Sequence, residues 1–106
     1  MVSVQLFVYG SLKRGGLHHE ELEGAPFLGE AQTAPGYRLT EQGAYFALLQ
    51  EAGAGVVRGE LFTVPLARLS ALDAFEGQAY RRGAVRLSAA HSGGFREALA
   101  YFGNAR

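Results

Sequence analysis

Residues 55–77 read GVVRGELFTVPLARLSALDAFEG. In the first half, β-branched and aromatic residues crowd together: Val56, Val57, Phe62, Thr63 and Val64. Such a run predicts a strand. In the second half the spacing changes. Leu66, Leu69, Leu72 and Phe75 fall three apart, the stripe of one helical face. Thr63 is placed to cap this helix. Pro65 suits its first turn, where a missing N–H is harmless, and Gly77 suits its exit. A strand that feeds a short helix, in a chain otherwise made of strand-like runs, predicts an α+β fold.

The flanking sequence fills in the rest. Upstream, Val4, Leu6 and Val8 alternate with Gln5, Phe7 and Tyr9. Both sets are largely apolar, so this strand is expected to be covered on two faces. LHHEELEG predicts a short helix from Leu17 to Glu23, with Gly24 as a left-handed stop. PFLGEAQTA alternates and reads as a strand. PGYRLT opens with a turn signal and continues extended. AYFALLQ is a further apolar run between Gly43 and Gly53. Downstream, YRRGAVRLSAA and FREALAYF are two strand candidates around the turn HSGG, which contains His91. Strands dominate, two helices interrupt them, and no repeat or long linker appears. The expectation is a single domain over residues 1–106: a small closed or nearly closed sheet with short flanking helices.

Composition narrows the function classes. The 106 residues are 48% hydrophobic, enough for one core, and carry a formal net charge of zero. That balance gives no general attraction to nucleic acid or to acidic membranes. The chain has no cysteine, so disulfide frameworks, thiolate metal sites and cysteine nucleophiles are excluded. The N-terminal residues lack a signal-peptide layout, and no apolar run approaches a membrane span. A soluble, cytoplasmic protein is expected.

Two stretches can carry chemistry. The first strand candidate ends abruptly in Gly10-Ser11-Leu12. Main-chain N–H groups at such an ending need partners. A glycine-bearing turn can aim several of them at one anion, and a carboxylate would suit it. On the residues alone an ordinary strand-to-helix turn with Ser11 as cap is the favoured reading. It is not a P-loop, because Lys13 stands at the wrong spacing and no Gly-Lys-Ser/Thr follows. The second stretch is LDAFEGQAY, with Asp73 and Glu76 three apart at the end of the predicted helix. A carboxylate beside Phe75 would be partly desolvated, which raises its pKa and makes it a proton acceptor near neutrality. The alternative is a solvated pair of carboxylates matched by Arg81 or Arg82. His18 and His19 are adjacent, diverge on a helix and make no metal-ligand spacing, so no metal is expected.

Taken together, FVYGSL, GVVRGELF and LDAFEGQAYRR resemble the γ-glutamylcyclotransferase-like (AIG2-like) family, which includes γ-glutamylamine cyclotransferases and many small bacterial members. GAPFLGEAQT and the closing ALAYF are in the same style, so the resemblance runs from about Leu6 to Tyr101. It implies a small mixed barrel. It implies that the loop Tyr9-Gly10-Ser11-Leu12 holds the α-carboxylate end of a γ-glutamyl group through main-chain N–H groups. It further implies that Glu76 is the catalytic acid/base, that Tyr80 lines the pocket, and that Gly59 and Glu60 are structural support, with Asp73 orienting the helix end. The partner would be a small γ-glutamyl substrate, with no cofactor. One departure is Phe46, which stands where the family often has proline. A non-catalytic binder of small anionic amino-acid derivatives, an enzyme removing a γ-glutamyl group from a biosynthetic intermediate, and a structural interaction domain are the rival readings.

Overall fold

The structure is a computed structural model and describes residues 2–42, 45–88 and 95–103. The strands are β1 (Ser3–Val8), β2 (Phe27–Gln32), β3 (Tyr37–Gln42), β4 (Tyr45–Gln50), β5 (Arg58–Pro65), β6 (Tyr80–Ser88) and β7 (Phe95–Gly103), and the helix is α1 (Leu69–Glu76). They form a mixed sheet in the order β2-β5-β1-β7-β4-β3, with β6 on the other edge of β7. The β1–β7 and β4–β7 pairs are parallel. The sheet curls until Thr33, just past β2, bridges Leu87 of β6. A nearly closed barrel results, as the sequence leads one to expect.

β1 shows why its sequence alternates between two apolar sets. Phe7 belongs to the barrel interior with Leu48, Val85 and Phe102. Leu6 and Val8 belong to an outer layer with Leu12, Phe62, Leu69, Leu72 and Tyr101. The strand is therefore sandwiched between the barrel and the helix. Antiparallel β5 lies against it from Ser3↔Pro65 to Val8↔Glu60. Gly59 permits that approach: a Cβ there would overlap the Val8 carbonyl oxygen and stand 2.8 Å from Phe7 Cζ.

Three local expectations are corrected. The first helix is a single 3-10 turn, His19–Leu22, with Leu22 its one buried residue. One apolar contact in four residues cannot sustain a longer helix. The left-handed stop includes Glu23 (φ 50°) as well as Gly24 (φ 74°). Thr63 caps nothing, because pairing with Gln5 keeps it in β5. β5 runs to Pro65, a 3-10 turn (Leu66–Arg68) follows, and α1 begins only at Leu69 without a side-chain cap. The helical stripe is shortened accordingly: Leu69 and Leu72 are buried, while Leu66 and Phe75 are 48% and 37% exposed. The turn HSGG with His91, residues 89–90, and Gly43 lie outside the described residues.

Candidate functional site

The ends of β1, β7 and α1 and the start of β6 come together beside the loop after β1. Residues 10–18 form successive turns: Lys13 N–H donates to Gly10 O (3.0 Å) and His18 N–H donates to Ser11 O (3.0 Å). No helix starts at Ser11, so its role as a cap is ruled out. Leu12 plugs into the outer core layer, and His19 Nδ1 donates to the Leu12 carbonyl at 2.8 Å. The N–H groups of Gly10, Ser11 and Leu12 donate to no acceptor among the described residues. Glu60 braces the loop from β5. It accepts from the Arg14 main-chain N–H (2.8 Å) and from Arg14 Nε (3.3 Å), while the guanidinium stacks 3.6 Å over the Phe27 ring.

Tyr9 leads into this loop, and its hydroxyl is committed. It donates to the Tyr101 carbonyl of β7 and accepts from the Leu48 N–H of β4 (3.1 Å). β1 and β4 share one edge of β7, and the Tyr9 phenol fills the break between them as a substitute rung. Tyr80 opens β6 and donates its hydroxyl to the Phe46 carbonyl at 2.7 Å. Phe46, the departure from the family pattern, is thus attached to the site through its main chain, and its side chain is exposed.

The two carboxylates of α1 differ sharply. Asp73 is paired: it accepts from the Tyr101 hydroxyl (2.6 Å) and lies 3.1 Å from the Arg82 guanidinium. Glu76, the last residue of α1, is half-buried and makes no hydrogen bond or ion pair among the described residues. Burial alone raises its pKa from the usual 4.5 to about 7. Its charge reaches the neighbouring phenols. Burial pushes the Tyr9 hydroxyl up, and Tyr80 and Glu76 add to the rise against the lowering bond from Leu48. Tyr101 is pushed up by burial, then by Asp73, with a smaller push from Glu76.

Phe75, expected to shield Glu76, is itself exposed and packs edge-on against His18, ring centroids 5.1 Å apart. That contact connects the loop to the helix end. No hydrogen bond joins the loop N–H groups to Glu76. Tyr9 therefore stands near both Tyr80 and Glu76, and residues 10–12 follow it in the chain.

Two groups at the site escaped the sequence reading. Tyr101 ties β7 to both Tyr9 and Asp73, and its only signal was a tyrosine in the alternating run ALAYF. The Phe46 carbonyl carried no signal, because main-chain groups are the same in every residue. Two open clefts lie elsewhere: one of about 330 Å3 beside Tyr37 and Arg86, the other of about 410 Å3 beside Leu22 and Arg68. Neither is lined by Glu76 or by residues 9–12. Among the described residues no three or more His, Asp or Glu side chains converge as a metal site, and no helix is long and apolar enough to cross a membrane.

A family model described as gamma-glutamyl cyclotransferase, AIG2-like, matches residues 6–106. A candidate gamma-glutamylcyclotransferase of Vibrio cholerae serotype O1 is 38% identical over 71 residues, 67% of this chain and 60% of that protein. The crystal structure of an AIG2-like protein from Mus musculus superposes with a TM-score of 0.81 at 27% identity, over 96% of this chain and 78% of that one. YkqA from Bacillus subtilis gives a TM-score of 0.80 at 26% identity over 97% of this chain. This chain spans only 36% of YkqA.

Proposed function

The chain belongs to the gamma-glutamyl cyclotransferase, AIG2-like family, and on that premise we propose that it cyclises a γ-glutamyl compound, releasing 5-oxoproline and an amine. The observation that carries the reading is Glu76: a half-buried carboxylate with no partner among the described residues, its pKa lifted to about 7, near Tyr9 at the start of the loop. A structural carboxylate is normally paired, as Asp73 is. An unpaired one tuned to neutrality suits proton transfer.

The chemistry follows from the substrate. A γ-glutamyl compound carries an α-ammonium, an α-carboxylate and a γ-amide. The free N–H groups of Gly10, Ser11 and Leu12 receive the α-carboxylate. Glu76 takes a proton from the ammonium. The freed amine attacks the γ-carbonyl carbon, a new C–N bond closes the five-membered ring, and the original amide C–N bond breaks. Glu76 passes that proton to the departing nitrogen, then takes the second proton from the ring nitrogen and hands it to the released amine, which leaves as ammonium, so the enzyme ends as it began. Positioning lowers the entropic part of the barrier by holding a flexible chain in its cyclising conformation. Tyr80, fixed to the Phe46 carbonyl, forms a wall. The Tyr9 hydroxyl is occupied within the sheet, so its contribution is to set the start of the loop.

A non-catalytic binder of anionic amino-acid derivatives would use the same loop, but an unpaired carboxylate nearby would repel its ligand. The test is a panel of γ-glutamyl amino acids, γ-glutamyl-lysine, γ-glutamyl amines and glutathione, assayed by mass spectrometry. At least one member should yield 5-oxoproline and free amine in equal amounts. No product from any member, or glutamate in place of 5-oxoproline, refutes the cyclotransferase reading.

A further inference from the structure

α1 has only eight residues and cannot persist without tertiary anchors. Leu69 and Leu72 pin its first turns to the outer core. Its last turn has no basic residue to complement the helix dipole, and the Glu76 carboxylate makes no hydrogen bond or ion pair among the described residues. Asp73 supplies the missing restraint. Its main-chain carbonyl accepts the Gly77 N–H that closes the helix. Its carboxylate accepts from the Tyr101 hydroxyl at 2.6 Å and pairs with Arg82 at 3.1 Å.

Tyr101 is the junction of this arrangement. Its hydroxyl holds Asp73, and its carbonyl receives the Tyr9 hydroxyl. One residue of β7 thus ties the end of β1 and the end of α1 together. We propose that Asp73 is a positioning residue: through Tyr101 and Arg82 it holds the last turn of α1 so that Glu76, three residues on, stays in place beside Tyr9. The inference deepens the proposed function and rests on the role given there to Glu76.

An exposed ion pair contributes little to stability on its own, so the effect belongs in the surroundings of Glu76. The charged and titratable groups packed around the helix end are Asp73 itself, His18 of the loop against Phe75, Tyr9 after β1, Tyr80 and Arg82 on β6, and Tyr101 on β7. Releasing the last turn lets water reach Glu76, and the burial that raises its pKa is lost.

The experiment is a titration of the Glu76 side-chain carboxyl by carbon-detected NMR on the full chain, without substrate. In the wild type the midpoint lies at about 7. Asp73→Ala and Tyr101→Phe should each lower it by about one unit, somewhat under half of the shift from 4.5 to about 7. Asp73→Asn removes the charge but keeps the oxygen facing Tyr101, and should lower the midpoint by less than half as much. An unchanged midpoint in Asp73→Ala overturns the proposal. So does an equal drop in Asp73→Asn and Asp73→Ala, which would mean that charge acts and not placement. If Asp73→Ala does not fold, Tyr101→Phe against Asp73→Asn decides: the larger drop must be in Tyr101→Phe. Because no substrate takes part, a failed turnover assay counts against the proposed function and not against this inference.

Discussion

Replacing Glu76 with Gln tests the site on two axes, stability against pH and turnover. In the folded protein Glu76 titrates at about 7, against 4.5 for a free side chain. The native state therefore binds a proton that the unfolded chain has released over that interval. Stability from this group is fully present below pH 4.5 and is lost as pH rises through 7. At about 1.4 kcal/mol per pKa unit the full shift would be worth about 3 kcal/mol; partial exposure to solvent reduces it to about 1–2 kcal/mol.

Glu76→Gln has no proton to bind, so its stability relative to wild type should climb by that amount between pH 4.5 and pH 8. In a domain of this size the climb is a thermal midpoint difference of about 4–12 °C. Every other titrating group is common to both proteins, so the difference isolates Glu76. Turnover of a γ-glutamyl substrate should rise through pH 7 in the wild type and fall by about two to four orders of magnitude in the variant. A stability difference that is flat from pH 4 to pH 8 refutes the burial argument. Near-wild-type turnover in the variant refutes the catalytic one.

Tyr9→Phe leaves the Tyr101 carbonyl and the Leu48 N–H without their partner; it should cost about 2–4 kcal/mol, and a urea midpoint unchanged from wild type would show that the hydroxyl is no rung of the sheet. Gly59→Ala drives a methyl group onto the Val8 carbonyl and the Phe7 ring; it should destabilise by about 2–4 kcal/mol in chemical denaturation, and a neutral result would mean that β1 and β5 can separate freely.

Much of the architecture was legible because it rests on local periodicity. The double apolar alternation of residues 4–9 specified a strand buried on both faces, and the structure places Phe7 inside the barrel and Leu6 and Val8 under the helix. The change of spacing after Val64 specified a strand followed by a helix. Its boundary was misplaced because Thr63 and Pro65 satisfy helix-start rules and strand pairing alike. Pairing with β1 won, since that ladder runs on to Ser3↔Pro65. Phe75 lost its expected burial for the same reason: α1 starts late, and its core-facing stripe ends at Leu72.

The family was likewise readable, because FVYGSL, GVVRGELF and LDAFEGQAYRR are contiguous patterns. Which carboxylate is free was not. Asp73 and Glu76 are three residues apart and chemically alike, and nothing local separates them. Tyr101 and Arg82, 28 and 9 residues away from Asp73, bind it and leave Glu76 unpaired among the described residues. Such distant partners meet only when β6 and β7 pair with each other and pack under α1. A pKa is set by burial and by neighbours across the fold, so the contrast between these two acids exists only in the tertiary structure.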